Sequence, residues 1–381
     1  MSTATDLLAE LIRTPSVAAD EGRLARPCAK LLEDAGLTAA LVEFAPDREQ
    51  LVANLGGRSA PLTITGHLDT VPATPSEWSV DPWSPEVDGG RMIGRGASDM
   101  KSGVAAALVA VAQHATRAHS CRGVQVVLTS GEETGCSGAR QLPARAVVGG
   151  GPLVVAEPTR NRLVPGHKGA LWLRLAARGV AAHGSAPELG DNAVVRLARA
   201  AVALHEYAEW PTHERFGPVT ANVGLLRGGV QPNVVPDSAE MLLDLRTVPS
   251  VDNDELRALV ASLAGDGVAV SDHVVLPPVD TPLDDPFVEL VSDSLRARGL
   301  PADPAAPARY FTDASALSPL LGEGQAATPT VVLGPGEPEQ CHVADEWCSL
   351  DRVDEAVEVY VDLLGRWCDA GVGGGAQTSS L

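Results

Sequence analysis

Pro61-Leu62-Thr63-Ile64-Thr65-Gly66-His67-Leu68-Asp69-Thr70 is a short apolar, β-branched run that a glycine opens into a loop carrying an imidazole and a carboxylate. Leu62 to Thr65 suits a buried strand, and Gly66 ends it just before His67 and Asp69. The same design recurs along the chain. Val124 to Thr129 stops at Gly131 and delivers Glu132 and Glu133, Leu153 to Ala156 runs into Glu157 and Pro158, and Thr330-Val-Val-Leu-Gly-Pro-Gly336 precedes His342 by a few residues. Each of these predicted strands presents a metal-type ligand at its C-terminal end, the edge of an open α/β sheet at which sites are built. The expected fold class is therefore α/β.

Asp99 comes from a different element. It lies in Gly94-Arg-Gly-Ala-Ser-Asp-Met-Lys-Ser-Gly103, just before Val104 to Ala118, an Ala-rich run of good helix propensity. That places it near a helix N-terminus, where the dipole favours a carboxylate. With His67, Glu132, Glu133, Glu157 and His342 it makes the ligand set of a two-metal hydrolase.

Length and composition limit the alternatives. The 381 residues exceed one small core, so two domains are expected. Apolar content of 45% with 3% aromatics describes a folded protein with an aliphatic core. No stretch reads as a signal peptide or membrane span, which gives a cytoplasmic expectation. A net charge of -20 argues against nucleic acid and anionic membranes as partners, since both need clustered Lys and Arg. The six cysteines, Cys28, Cys121, Cys136, Cys341, Cys348 and Cys368, contain no C-x-x-C pair, which disfavours thiolate zinc fingers and a disulfide framework. Cys341 adjoins His342, but the carboxylates and imidazoles already supply a harder donor set. Lysine is rare: Lys30 falls in a predicted surface helix, whereas Lys101 and Lys168 sit in Gly-bounded segments near the candidate ligands.

Helix and strand signals alternate to about residue 166, with helices over Leu7 to Arg13 and Arg23 to Ala35, the latter capped by Gly36. From about residue 167 the pattern changes. A strand over Ala170 to Ala177, a long helix over Asn192 to Trp210, strands over Val219 to Leu226 and Met241 to Arg246, and a helix over Asp252 to Leu263 describe a two-layer α+β unit. A Pro-rich linker after about residue 276 leads to a helix over Pro286 to Gly299, a strand at 329–333 and a helix over Asp351 to Cys368. Because His342 belongs with the earlier ligands, the middle unit is an insertion. The expected division is 1–166 and 276–370 for a mixed-sheet domain with helices on both faces, 167–275 for the insertion, and 371–381 for a disordered tail.

Gly66-His-Leu-Asp-Thr-Val-Pro72, the Gly94 to Gly103 segment, Thr129-Ser-Gly-Glu-Glu-Thr-Gly135, Val155-Ala-Glu-Pro-Thr159 and Glu339-Gln-Cys-His342 resemble the motifs of the M20 metallopeptidases. That group includes acetylornithine deacetylase, succinyl-diaminopimelate desuccinylase, aminoacylase and carboxypeptidase G. The resemblance runs from about residue 5 to 368 and keeps every motif in order. It implies that His67 and Glu157 bind one metal, Glu133 and His342 bind the other, and Asp99 bridges them. The same pattern makes Glu132 the general base and gives Asp69 the free ring N–H of His67 to accept. It makes the insertion a dimerisation or lid domain whose His183 reaches the active site of a partner subunit and supports the oxyanion.

Asn233 and Arg246 match substrate-contacting positions, Arg246 suiting a substrate carboxylate as well as it suits the edge of a strand. Lys168 joins them as a substrate-binding candidate. Thr312 and Asp313 fit both helix capping and substrate contact. The implied reaction is hydrolysis of the amide of an N-acyl amino acid by water activated between two divalent ions, Zn2+ first, with Co2+ or Mn2+ as alternatives. Other readings are a dipeptidase or carboxypeptidase, a hydrolase acting on a γ-glutamyl or carrier-protein conjugate, and a catalytically inactive binding protein.

Overall fold

The computed structural model describes residues 3–17, 21–46, 48–57, 59–116, 123–322 and 327–370. The chain forms two compact units, one of Met1–Gly166, Asp280–Ala306 and Thr312–Leu381, the other of His167–Val279 with Pro307–Phe311. The tail, 371–381, lies outside the described residues.

In the first unit, strands β1 (Thr38–Ala45), β2 (Arg48–Leu55), β3 (Leu62–His67), β4 (Val124–Thr129) and β5 (Leu153–Val155) share one sheet. β3, β4 and β5 are buried along their whole length, as continuous Val, Leu and Ile runs require when both faces are covered. Helix α1 (Ala4–Arg13) starts from a capping box in which Thr3 Oγ1 accepts the Asp6 N–H at 3.1 Å and the Asp6 carboxylate accepts the Thr3 N–H at 3.2 Å. Helix α2 (Gly22–Asp34) gives way to Gly36 at φ 99°, the left-handed position that glycine reaches without strain. Helix α3 (Ser102–Ala115) is buried almost all round.

The second unit carries its own core. Strands β6 (Gly169–Arg178), β7 (Thr220–Gly228), β8 (Ser238–Thr247) and β9 (Val268–Leu276) form an antiparallel sheet in the order β7-β8-β6-β9. Alternate residues Leu171, Leu173 and Leu175 of β6 and Met241, Leu243 and Leu245 of β8 face helices α4 (Ala193–Glu206) and α5 (Asn253–Ala264) in one apolar cluster. Asn192 caps α4 by accepting the Val195 N–H at 3.1 Å. The helix ends at Glu206, short of the expected Trp210, because Tyr207 turns extended and its ring meets that of Trp210 edge-on at 5.0 Å.

Helix α6 (Pro286–Ala297), helix α7 (Ala314–Leu321), strand β10 (Thr330–Val332) and helix α8 (Leu350–Ala370) complete the first unit. Its sheet order is β1-β2-β4-β3-β5-β10, antiparallel at the β1-β2-β4 edge and parallel from β4 to β10. The fold is mixed-sheet α/β with an inserted two-layer α+β unit.

Three features escape the sequence reading. β9 exposes much of its length and so alternates weakly, and Pro307–Phe311 joins the second unit through the Lys168 N–H, which donates to the Ala308 carbonyl at 3.0 Å. A hairpin of Glu86–Asp88 and Arg91–Ile93 turns on Gly89 and Gly90, both at positive φ, and Trp347–Ser349 pairs with it. Cys28, Cys136, Cys341 and Cys348 are free thiols. Among the described residues no helix is long and apolar enough to cross a membrane.

Candidate metal centre

The first unit alone brings the donors together. β3 ends on His67, and β4 hands over to Gly131, whose φ of 77° turns the chain sharply into Glu132 and Glu133. β5 leads to Glu157, and β10 leads through a loop to His342. Asp99 stands ahead of α3 in an extended conformation, φ -116° and ψ 95°, so the loop and not the helix aims its carboxylate.

His67 Nε2 lies 3.0 Å from Asp99 Oδ1 and 3.6 Å from Glu157 Oε1. His342 Nε2 lies 3.4 Å from Asp99 Oδ2 and 2.9 Å from Glu133 Oε2. Each oxygen of Asp99 thus faces a different histidine. Ligand atoms of His67, Asp99 and Glu133, and of His67, Glu132 and Glu157, lie within 4.8 Å of one another in each group. Glu133 Oε1 is buried with no hydrogen-bond partner. An orphaned carboxylate oxygen among imidazole and carboxylate donors fits a divalent cation.

The electrostatics favour positive charge at this point. Burial works against protonation of His67, but the carboxylates of Glu157, Asp99 and Asp69 outweigh it and raise the imidazole well above its ordinary value. Burial opposes ionisation of Asp99, yet hydrogen bonds from His342 and His67 hold its carboxyl well below the usual range. Glu132 is raised well above the ordinary glutamate value by burial and by Glu157, Asp313 and Glu133, against the pull of His67.

Asp69 differs from expectation in what it holds. The ring Nδ1–H of His67 donates to the backbone carbonyl of Asp69 at 2.9 Å, while the nearest carboxylate oxygen is 3.8 Å away. That carboxylate instead accepts the backbone N–H groups of Gly131, Glu132 and Glu133 at 2.7, 3.2 and 3.1 Å. Only Leu68 separates His67 from Asp69, so the main chain reaches the ring first and the side chain is left to shape the acidic turn.

The remaining candidates divide between the units. Thr312 Oγ1 accepts the Ala314 N–H at 3.1 Å and caps α7, whereas Asp313 makes no side-chain cap. The Asp313 carboxylate is buried against the Thr129 hydroxyl, leaves Oδ1 without a partner, and is pushed up to about 6 by burial. In the second unit His183 is exposed, and its Nδ1 accepts from Ser185 Oγ at 2.7 Å, which leaves Nε2–H free to donate. Asn233 stands beside it, its carbonyl accepting the Gly184 N–H at 2.7 Å. Arg246 pairs with Asp244 at 3.0 Å and lies 4.8 Å above the Phe311 ring. Lys168 donates to the Pro218 carbonyl, and burial, with Arg309 and Arg246, lowers its ammonium. Lys101 is not aimed at the donors: its ammonium holds the carbonyls of Leu11 and Thr14 at 2.8 and 3.0 Å and closes the C-terminal end of α1.

The sequence reading missed Arg95, Ser98 and Glu346. Glu346 accepts the N–H groups of Gly96, Ser98 and Asp99 at 2.9, 2.8 and 2.9 Å and the Arg95 guanidinium at 2.7 Å. The available signals were an arginine between two glycines and an acid shortly after His342.

Residues 63–366 match the sequence pattern of peptidase family M20/M25/M40. The chain belongs to this family. It is 28% identical over 379 residues to the acetylornithine deacetylase of Vibrio cholerae, covering 94% of this chain and 97% of that protein. A tripeptidase from Staphylococcus aureus superposes with a TM-score of 0.76 at 20% identity, covering 96% of this chain and 97% of that one. A dinuclear metal-binding peptidase of the M20 family from Bacillus subtilis superposes with a TM-score of 0.70 at 15% identity, covering 96% and 98%. The chain is therefore an M20-type metal-dependent hydrolase, and the donor cluster falls within the matched residues.

Proposed function

We propose that this chain hydrolyses the amide bond of an N-acyl amino acid in the manner of an acetylornithine deacetylase or a desuccinylase. The observation that carries the reading is Asp99, which turns one carboxylate oxygen to each of two histidines. In this reading His67 and Glu157 would hold one ion, Glu133 and His342 would hold the other, and Asp99 would serve both. Divalent ions bound there would polarise the amide carbonyl and lower the pKa of an attacking water.

The chain's own residues then manage the proton and the substrate. Glu132, buried beside the donors, takes a proton from water at a carboxylate oxygen and passes it to the departing amine. Asp69 fixes the turn on which Glu132 and Glu133 stand. Arg246 would meet a substrate carboxylate, and Asn233, Lys168, Thr312 and Asp313 are the further candidates for substrate contact.

His183, with Nε2–H free, donates to the oxyanion of a second copy's site. A homodimer is supported by β7, an edge strand exposed along most of its length, and by Leu225, Leu226, Val195, Val202 and Val230, all exposed on the same unit.

The test is a substrate panel on protein loaded separately with Zn2+, Co2+ and Mn2+, read by amine release. N-acetyl-ornithine and N-succinyl-diaminopimelate are expected to turn over fastest. Likeness to tripeptidase and carboxypeptidase folds favours a second reading, cleavage of short peptides, which peptide and γ-glutamyl arms of the same panel separate. No turnover with any ion would favour a binding protein.

A further inference from the structure

We infer that Glu346, together with Ser98, is a positioning device that holds Asp99 and His342 in register and so sets how tightly the centre grips the ion these two would share. The inference rests on the reading of Asp99 and His342 as ligands.

Glu346 is fully buried, and both of its oxygens are committed. Oε1 accepts the N–H groups of Ser98 and Asp99, and Oε2 accepts the Gly96 N–H and the Arg95 guanidinium. A buried carboxyl group that accepts from all four of these donors fixes the 96–99 loop, including Gly96 at φ 83°, and with it the backbone of Asp99. Ser98 ties the same loop to the His342 segment. Its hydroxyl donates to the Trp347 carbonyl at 2.7 Å and accepts the Glu337 N–H at 2.8 Å, so the two ends of the Glu337 to Trp347 loop meet on one side chain.

Within that loop His342 and Asp345 hold φ of 65° and 53°, left-handed conformations that residues with side chains adopt only when their surroundings impose them. Glu337 anchors the near end through Arg160 at 2.6 Å and through Arg352. The clamp therefore fixes both sides of the Asp99 to His342 contact. A merely structural ion pair would need Arg95 alone, whereas three of the four contacts to Glu346 come from the loop that aims Asp99.

Glu346→Gln keeps the shape but turns an NH2 toward the Gly96 N–H and Arg95, setting donor against donor. Ser98→Ala cuts the other tie while leaving the Glu346 contacts in place. Metal-free wild type, Glu346→Gln and Ser98→Ala are titrated with Co2+, following visible absorption and stoichiometry, with far-UV circular dichroism and turnover in parallel.

Wild type is expected to take two equivalents. The variants should keep the wild-type far-UV spectrum and two equivalents, the one at His67 and Glu157, which shares only Asp99 with the clamp, weakened the less. Their other equivalent should bind roughly 10- to 100-fold more weakly with altered Co2+ bands, and kcat should fall while KM holds. Two equivalents with wild-type affinity and spectrum in both variants would overturn the inference. If Glu346→Gln fails to fold, Ser98→Ala decides. Wild type that binds no Co2+ would remove the centre and the clamp together, an outcome distinct from a clamp that fails in a functioning centre.

Discussion

The imidazole of His67 donates its Nδ1–H to the backbone carbonyl of Asp69 at 2.9 Å, while the carboxylate of Asp69 holds the N–H groups of Gly131, Glu132 and Glu133. Side chain and main chain of one residue thus do separate work. Asp69→Asn should leave the His67 tautomer intact but turn an NH2 against one of the N–H groups of the acidic turn. Activity is expected to fall about 10- to 100-fold, with metal affinity weakened through Glu133. Wild-type kcat and metal content in this variant would show that the turn needs no such anchor.

Glu132→Ala removes the proposed base without removing a proposed ligand. Metal content should stay near wild type while kcat drops roughly 10²- to 10⁴-fold. Metal analysis and steady-state kinetics on one preparation check both halves, and a variant that keeps most of its rate contradicts the assignment.

Shared sites make a sharper demand on the second unit. Each of His183→Ala and Glu132→Ala should be nearly inactive as a homodimer. Mixing them, with exchange of subunits, should restore activity in the heterodimer, where one site holds both wild-type residues. Kinetics of the mixture against each parent is the measurement, and the absence of rescue argues that the site is complete in one chain.

Much of this arrangement is legible in the sequence, because it is written in strand ends. Continuous apolar runs placed β3, β4, β5 and β10, a glycine following β4 and β10, Glu157-Pro158 closing β5 and β3 running on through Gly66 to His67, and each carried its candidate ligand residues at the same end. What escaped was non-local. That Asp69 would serve the main chain of Gly131 to Glu133, or that Glu346 would fold back on Gly96 to Asp99, depends on loops meeting across about 60 and 250 positions of chain, for which no local period exists. Lys101 misled because a glycine-bounded lysine near ligands looks chemical, whereas its ammonium closes a helix end. Asp313 beside Thr312 looked like a cap, but Thr312 makes that bond.

His167 gives the fold a pH dependence of predictable sign. Burial lowers its imidazole from 6.5 to about 4, and its Nδ1–H donates to the Lys168 carbonyl at 2.8 Å. Above pH 6.5 the ring is neutral whether folded or unfolded, and its stabilising effect is complete. As the pH falls toward 4 the unfolded chain takes up a proton that the fold refuses, so stability is lost by up to roughly 3 kcal/mol. Denaturant unfolding of wild type and His167→Gln between pH 7 and pH 4 should show a shallower slope in the variant, and parallel curves would refute the assignment.

The claim on which the rest depends is that two divalent ions sit between His67 and His342. Anomalous diffraction at the zinc edge, from crystals grown with Zn2+, locates them without recourse to activity. Two peaks per chain are predicted, one against His67 and Glu157, the other against His342 and Glu133, with an Asp99 oxygen toward each. A single peak, or peaks away from Asp99, would contradict the claim.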